Sequence, residues 1–155
     1  MRRNRRHTQL IASALSVALS LSFALPMVAQ EDEEEEEEIQ AKLANDLSAK
    51  LEQLDETAGD LARAKDERAI NLGIGELQTI IDWLGSHASK IERHFDSKGQ
   101  KDVVRAAEKL GSAVKDAQRE LGEYEAEGSQ KSLMTALEKV QDLGEAAVGL
   151  ISPSN

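Results

Sequence analysis

The chain has 155 residues, a formal net charge of −10, 3% aromatic residues and no cysteine. A chain of this length buries one hydrophobic core, which must here be built mainly from aliphatic side chains. The lack of cysteine excludes disulfides, Cys-based zinc sites, covalent c-type haem and a lipidated cysteine, and the acidic charge disfavours nucleic-acid binding, which needs Lys/Arg patches.

The N-terminal residues have the three parts of a secretory signal peptide. Four arginines among the first six residues precede an apolar stretch at 10–25, Pro26 interrupts it, and Ala29 supplies a small residue for cleavage. The apolar stretch is shorter than the roughly 20 residues that span a bilayer. We predict a signal peptide over residues 1–29, export to the periplasm or the extracellular space, and no stable membrane span after cleavage. Bulky Met27, three positions before the cut, leaves an uncleaved signal anchor as the alternative.

An uninterrupted acidic run follows the leader. Mutual repulsion of its side chains predicts an extended, disordered and solvated segment over residues 30–38. Carboxylate oxygens also suit divalent cations, although the run lacks the spacing of a coordination loop. The candidate cation ligands are Glu31, Asp32, Glu33, Glu34, Glu35, Glu36, Glu37 and Glu38.

From Ile39 onward, apolar residues recur at alternating steps of four and three in four successive segments. This heptad spacing is typical of helices that pack with a left-handed, coiled-coil-like twist. None of the segments alternates with the period of two that indicates a strand. We predict an all-α domain over residues 39–151, folded as an up-down antiparallel four-helix bundle with heptad-type packing.

Turn residues divide the four predicted helices. Glycine-containing stretches at 96–99 and 127–129 end the second and third helices. The first break has two candidate positions. Asparagine and glycine at 71–75 favour a turn there, whereas the unbroken heptad phase that begins at Ile70 favours a break at 59–60. We place the break at 71–75.

His87 and His94 are the candidate metal ligands of the second helix. They are seven residues apart, or about 10.5 Å along a helix, so they cannot share one zinc ion with bonds of about 2 Å. Each remains a candidate for a separate site or, with Met134 opposite, for a haem iron. Their helical phase beside the apolar seam instead predicts two half-exposed histidines without a ligand. The Glu-x-x-His motif of di-iron bundles is absent.

Two short motifs between residues 73 and 87 do not indicate catalysis. Gly73 and Gly75 lack the third glycine and the preceding strand of a dinucleotide fingerprint. Ser86 and His87 are neighbours, but successive side chains on a helix point about 100° apart. We therefore predict no catalytic residues, no cofactor and no enzymatic activity.

Trp83 precedes the seam residue Leu84 and lies on the outer shoulder of its helix. An exposed tryptophan often marks a contact site, and the other interpretation is packing against a neighbouring helix. With His87 and Lys90 on the same shoulder, we predict a partner-contact surface formed by Trp83, His87 and Lys90. Small residues along the seams leave room for a partner helix or for self-association.

These features predict an exported, small, acidic helical-bundle protein with a non-enzymatic protein-binding or structural role in the cell envelope. The alternative is a cation- or haem-binding four-helix-bundle protein. Removal of the leader leaves 15 of the 19 basic residues against 29 acidic ones, a formal net charge of −14. This charge favours neither nucleic acid nor an anionic lipid surface as a partner.

Overall fold

The computed structural model describes residues 26–126 and 129–152, with side chains at 34–125 and 129–152. Both ranges are helical apart from short connections and contain no strand, which confirms the predicted all-α class and is consistent with a four-helix bundle. Most of the predicted signal peptide lies outside the described residues. The helices are α1 (Pro26–Arg63), α2 (Glu67–Asp96), α3 (Lys101–Ala126) and α4 (Gln130–Ile151).

The chain divides into two units, residues 1–36 and 37–155. Helix α1 includes residues 30–38, for which the sequence had favoured an extended chain. Glutamate is a good helix former, so its intrinsic propensity opposes the charge repulsion in this run. The side chains of Glu34, Glu35, Glu37 and Glu38 are exposed.

The core of the second unit is aliphatic and follows the predicted spacing. Phe95 is the only aromatic residue among the buried hydrophobic side chains of the described ranges. The seam positions of α4, at the predicted steps of four and three, are all buried, namely Leu133, Leu137, Val140, Gly144, Ala147 and Ile151. Those of α2 are buried from Ile74 onward, namely Ile74, Leu77, Ile81, Leu84, Ala88, Ile91 and Phe95.

Contacts between α1 and α2 show that these two helices run in opposite directions. The carbonyl oxygen of Leu43, early in α1, lies 3.0 Å from the His87 ring, late in α2. At the other end, the Cβ position of Gly73 is 3.3 Å from a methyl group of Leu61. Residue numbers therefore rise along α1 as they fall along α2.

Side-chain contacts also connect α2 with α3, α3 with α4 and α4 with α1. Gln118 of α3 donates a hydrogen bond to Asp82 of α2 at 2.8 Å. The ammonium group of Lys139 on α4 lies 3.2 Å from the carboxylate of Asp116 on α3. Helix α4 then meets α1 where Gly144 packs against Leu51. None of the helices in the described residues has a stretch long and apolar enough to cross a membrane.

The first helix break lies between Arg63 and Glu67, so its predicted position at 71–75 was wrong. The alternative at 59–60 was nearer but too early. Asp66 is the N-cap of α2, and its carboxylate accepts a hydrogen bond from the backbone N–H of Ala69 at 2.9 Å. This bond satisfies one of the free N–H groups at the helix start.

The glycines that suggested a turn lie inside α2. Gly73 is buried against Leu61 of α1, where a methyl group at Cβ would come within 3.3 Å of the leucine. The two helices approach closely there, so a Cβ at this position would press on the Leu61 side chain. The predicted turn at 96–99 is confirmed, since α2 ends at Asp96 and Gly99 has a left-handed φ of 70°.

Gly75 and Gly99 are expected to respond in opposite directions to replacement by alanine. Apart from the adjacent residues and the backbone of its own helix, nothing lies within 4 Å of the Cβ position of Gly75, so Gly75→Ala should stabilise the protein by about 0.5–1 kcal/mol through helix propensity. Gly99→Ala should destabilise it by about 1–2 kcal/mol, because alanine is strained at the positive φ. Urea unfolding of both variants measures the two effects. A loss of stability in Gly75→Ala would instead support the turn predicted at 71–75.

Candidate functional site

His87 is buried between α2 and α1, with 3% of its surface exposed, so the predicted half-exposed position was wrong. Its Nε2 atom lies 3.0 Å from the carbonyl oxygen of Leu43. Because a carbonyl oxygen only accepts, Nε2 carries the proton and donates the bond. The helical phase of α2 alone did not reveal that α1 covers this side of the helix.

Trp83 stacks on His87, with ring centroids 4.3 Å apart and an interplanar angle of 14°. The ammonium group of Lys50 on α1 lies 5.4 Å from the centroid of the Trp83 ring, within the range of a cation–π interaction. These three residues form the Lys50–Trp83–His87 stack between α1 and α2. Trp83 is half-buried and packs against the core, which agrees with the packing interpretation of this residue.

Burial lowers the pKa of His87 below its ordinary value of 6.5. The hydrogen bond to Leu43 and the negative charge of Asp46 on α1 oppose this effect, and the positive charge of Lys90 on α2 adds to it. Burial outweighs the opposing effects because a charged imidazolium loses its hydration in the interface. The ring is therefore neutral at neutral pH and acts as a hydrogen-bond donor.

The lowered pKa of His87 makes the protein less stable in acid. Between the ordinary pKa of 6.5 and the lower pKa in the folded protein, the His87 ring binds a proton in the unfolded chain but stays neutral in the folded one. Stability that is present above this range is therefore lost as the pH falls through it. The slope from this group is at most about 1.4 kcal/mol per pH unit. We expect His87→Gln to reduce the loss of stability between about pH 7.5 and about pH 5.5 in urea unfolding. Equal losses in both proteins would contradict this role.

His94, the second predicted metal ligand, lies two turns further along α2. It is half-buried, and its ring packs edge-on against Phe95 with centroids 4.9 Å apart. Within the described residues, no group of three or more His, Asp or Glu side chains is placed to hold a metal ion. The Nε2 atom of His87 is bonded to the Leu43 carbonyl, so neither histidine belongs to a ligand cluster in this part of the chain.

Met134 lies too far from His87 to share a haem iron with it. Met134 lines a groove between α4 and α1 together with Leu54, whereas His87 contacts Leu43. Eleven residues separate these two leucines, which corresponds to about 16 Å along α1. The two axial ligands of one haem must both bond directly to its iron.

The three predicted partner-contact residues do not lie together on one exposed surface. Trp83 and His87 come together inside the α1–α2 interface, and Lys90 is exposed. Sequence reasoning missed Lys50 and the Leu43 carbonyl, because the register of α1 against α2 cannot be read from either helix alone. Their apolar spacing showed which faces are buried but not which residues meet.

A groove of about 450 Å³ lies next to this stack, between α1 and α2. We call it the Leu72 groove. Leu72 is 64% exposed and is the most exposed large hydrophobic residue in the described part of the chain. It lies off the heptad stripe of α2 and within the stretch predicted as a turn, so sequence analysis did not identify it. Ile80 and Lys50 also line the groove.

No protein-family model, curated protein or solved structure matches this chain. Its function is therefore inferred from its own residues and contacts. Among the side chains that the structure describes, His87 is the only buried polar or charged one, and its bond to α1 gives it a structural role. Most other described polar side chains lie at or near the surface, whereas the Nε2 atom of His94 and the Oε1 atom of Gln141 are buried.

Proposed function

We propose that this is an exported, acidic helical-bundle protein with a non-enzymatic protein-binding or structural role in the cell envelope. The observation that carries the proposal is the apolar interior of the described helices. Sites inside helical bundles are built from inward-facing polar side chains, and the one found here, His87, holds α1 against α2. We therefore assign the protein-binding or structural role to the surface of the bundle.

The arrangement of the four helices determines which faces the bundle exposes. We propose that residues 39–151 form an up-down antiparallel bundle with heptad-type packing. The opposed directions of α1 and α2, the contacts of each helix with the next, and the four-three spacing of buried residues support this topology. Such a bundle exposes four outer helix faces and the grooves between them.

Export of the protein is supported by its N-terminal sequence. Cleavage after Ala29 would leave a chain that begins at Gln30, with the acidic run at 31–38 as a solvated N-terminal arm. We expect the full chain, expressed in a bacterium, to reach the periplasm or medium with the intact mass of residues 30–155. An unprocessed chain in the cytoplasm would contradict export, and an unprocessed chain in the membrane fraction would establish the signal anchor.

The alternative function, cation or haem binding, predicts that the purified protein carries a bound metal ion or haem. Absorption spectroscopy and elemental analysis of protein isolated without chelators distinguish the two. We expect neither a Soret band nor a stoichiometric metal. Either signal would contradict a purely protein-binding role, and a bound divalent cation would direct attention to Glu31–Glu38.

A further inference from the structure

The Leu72 groove combines exposed apolar surface with open space. Leu72 stands at its edge with 64% of its surface exposed, and Ile80, 7% exposed, lies in its wall. Gly75 sits between them on α2, and apart from adjacent residues and its own helix backbone nothing lies within 4 Å of its Cβ position. The groove therefore offers a projecting leucine followed by an unfilled depression.

The spacing of these features fits a helix as the occupant. Leu72, Gly75, Thr79 and Trp83 succeed one another at steps of three and four, so they follow one face of α2. A projecting side chain beside a depression is the arrangement in which ridges of one helix pack into grooves of another. Amphipathic helices bind such grooves through apolar residues at the same spacing.

The charged residues around the groove indicate which kind of partner helix would bind there. Glu56 on α1 and Glu76 on α2 line it, while Lys50 is placed at the Trp83 end. After cleavage of the leader, the chain would carry 15 basic and 29 acidic residues. A second copy of the chain would bring the same negative charge to the groove and be repelled. Lys and Arg side chains of a different partner would instead pair with the two glutamates of the groove.

We propose that the Leu72 groove binds a basic amphipathic helix of a partner protein. This inference rests on the proposed protein-binding role and names the surface and the class of partner. Apolar side chains of the partner helix pack around Leu72 and over Gly75, and its basic side chains face Glu56 and Glu76. Lys50 connects the groove to the Lys50–Trp83–His87 stack.

A synthetic amphipathic helix of leucine and lysine, about 18 residues long, is the probe for this site. Trp83 is the only tryptophan in the chain and has Lys50 over its ring, so its fluorescence reports occupation of the groove. We expect the probe to bind the full exported protein and to change the Trp83 emission. Leu72→Ser should raise the Kd at least about tenfold. Leu150→Ser, at a 51% exposed leucine of α4, should leave the Kd unchanged.

A peptide with glutamate in place of lysine should not bind. Equal affinity of the Leu72 and Leu150 variants for the basic probe would overturn the proposal, because it would place binding elsewhere, such as the acidic run. A dimer in sedimentation equilibrium that Leu72→Ser dissociates would also overturn it, in favour of a second copy. In either case, cross-links to another protein from other faces would leave the proposed function standing.

Discussion

Replacement of Leu77 by alanine should lower the free energy of unfolding by about 2–5 kcal/mol. Leu77 has no exposed surface and belongs to the core cluster, where a smaller side chain leaves a cavity. Leucine to alanine removes both the burial of the side chain and the contacts of its neighbours with it. Urea unfolding monitored by circular dichroism at the helical bands measures the change.

Leu72→Ala is the matched control, because it makes the same chemical change five residues earlier on the same helix. Leu72 is 64% exposed, so its truncation should change stability by no more than about 0.5 kcal/mol. A large loss at Leu72 and a small one at Leu77 would mean that α2 turns a different face to the core. The same result would remove the Leu72 groove as an accessible surface.

Replacement of Gly144 by alanine should destabilise the protein by about 1–2 kcal/mol, although alanine favours a helix over glycine by about 1 kcal/mol. The added Cβ would lie 2.6 Å from both methyl groups of Leu51 and 3.1 Å from its Cγ. Leu51 is buried in α1, so its side chain cannot turn away without disturbing the core. The clash therefore outweighs the gain in helix propensity.

Two further variants separate the clash from other effects. The new methyl group of Gly111→Ala on α3 meets nothing within 4 Å beyond adjacent residues and its own helix backbone, so this variant should stabilise the protein by about 0.5–1 kcal/mol. In a Leu51→Ala background, Gly144→Ala should lose its cost, because the new methyl group enters the space left by leucine. A cost that persists in that background would show that α1 and α4 do not meet at this pair.

The apolar periodicity predicted the helices and their buried faces, because burial against neighbours imposes one pattern along the whole helix. The stripe from Ile74 to Phe95 in α2 and the seam of α4 are buried as predicted. The turn at 96–99 was also correctly predicted, since a left-handed glycine follows the end of a helix. These features depend on local sequence and on the period of the helix.

The first break was misplaced because glycine has two structural uses. Glycine at 73 permits close approach to Leu61 and does not form a turn. The connection before Glu67 contains neither glycine nor proline, and its main signal is the capping residue Asp66. The unbroken phase from Ile70 onward was the more reliable indicator.

The candidate site was harder to predict because it depends on two helices at once. Trp83 was singled out correctly as unusual, but its partners are Lys50 on α1 and His87 one turn further along α2. Burial of His87 depends on the register that brings the Leu43 carbonyl to its ring. Exposure of Leu72 followed from the same register and from the continuation of α2 through residues 71–75.

In-cell photo-crosslinking tests the claim that this protein acts through its surface by binding another protein. A photoreactive amino acid would replace Asn71, an exposed residue that lines the Leu72 groove, or Lys90 or Lys109, one position at a time, in cells that express the full chain. We expect an adduct with a discrete protein from position 71, at the groove, and a weaker one or none from Lys109, an exposed residue of α3. Formation of no protein adduct from any of the three positions, with the variants exported and folded, would contradict the claim.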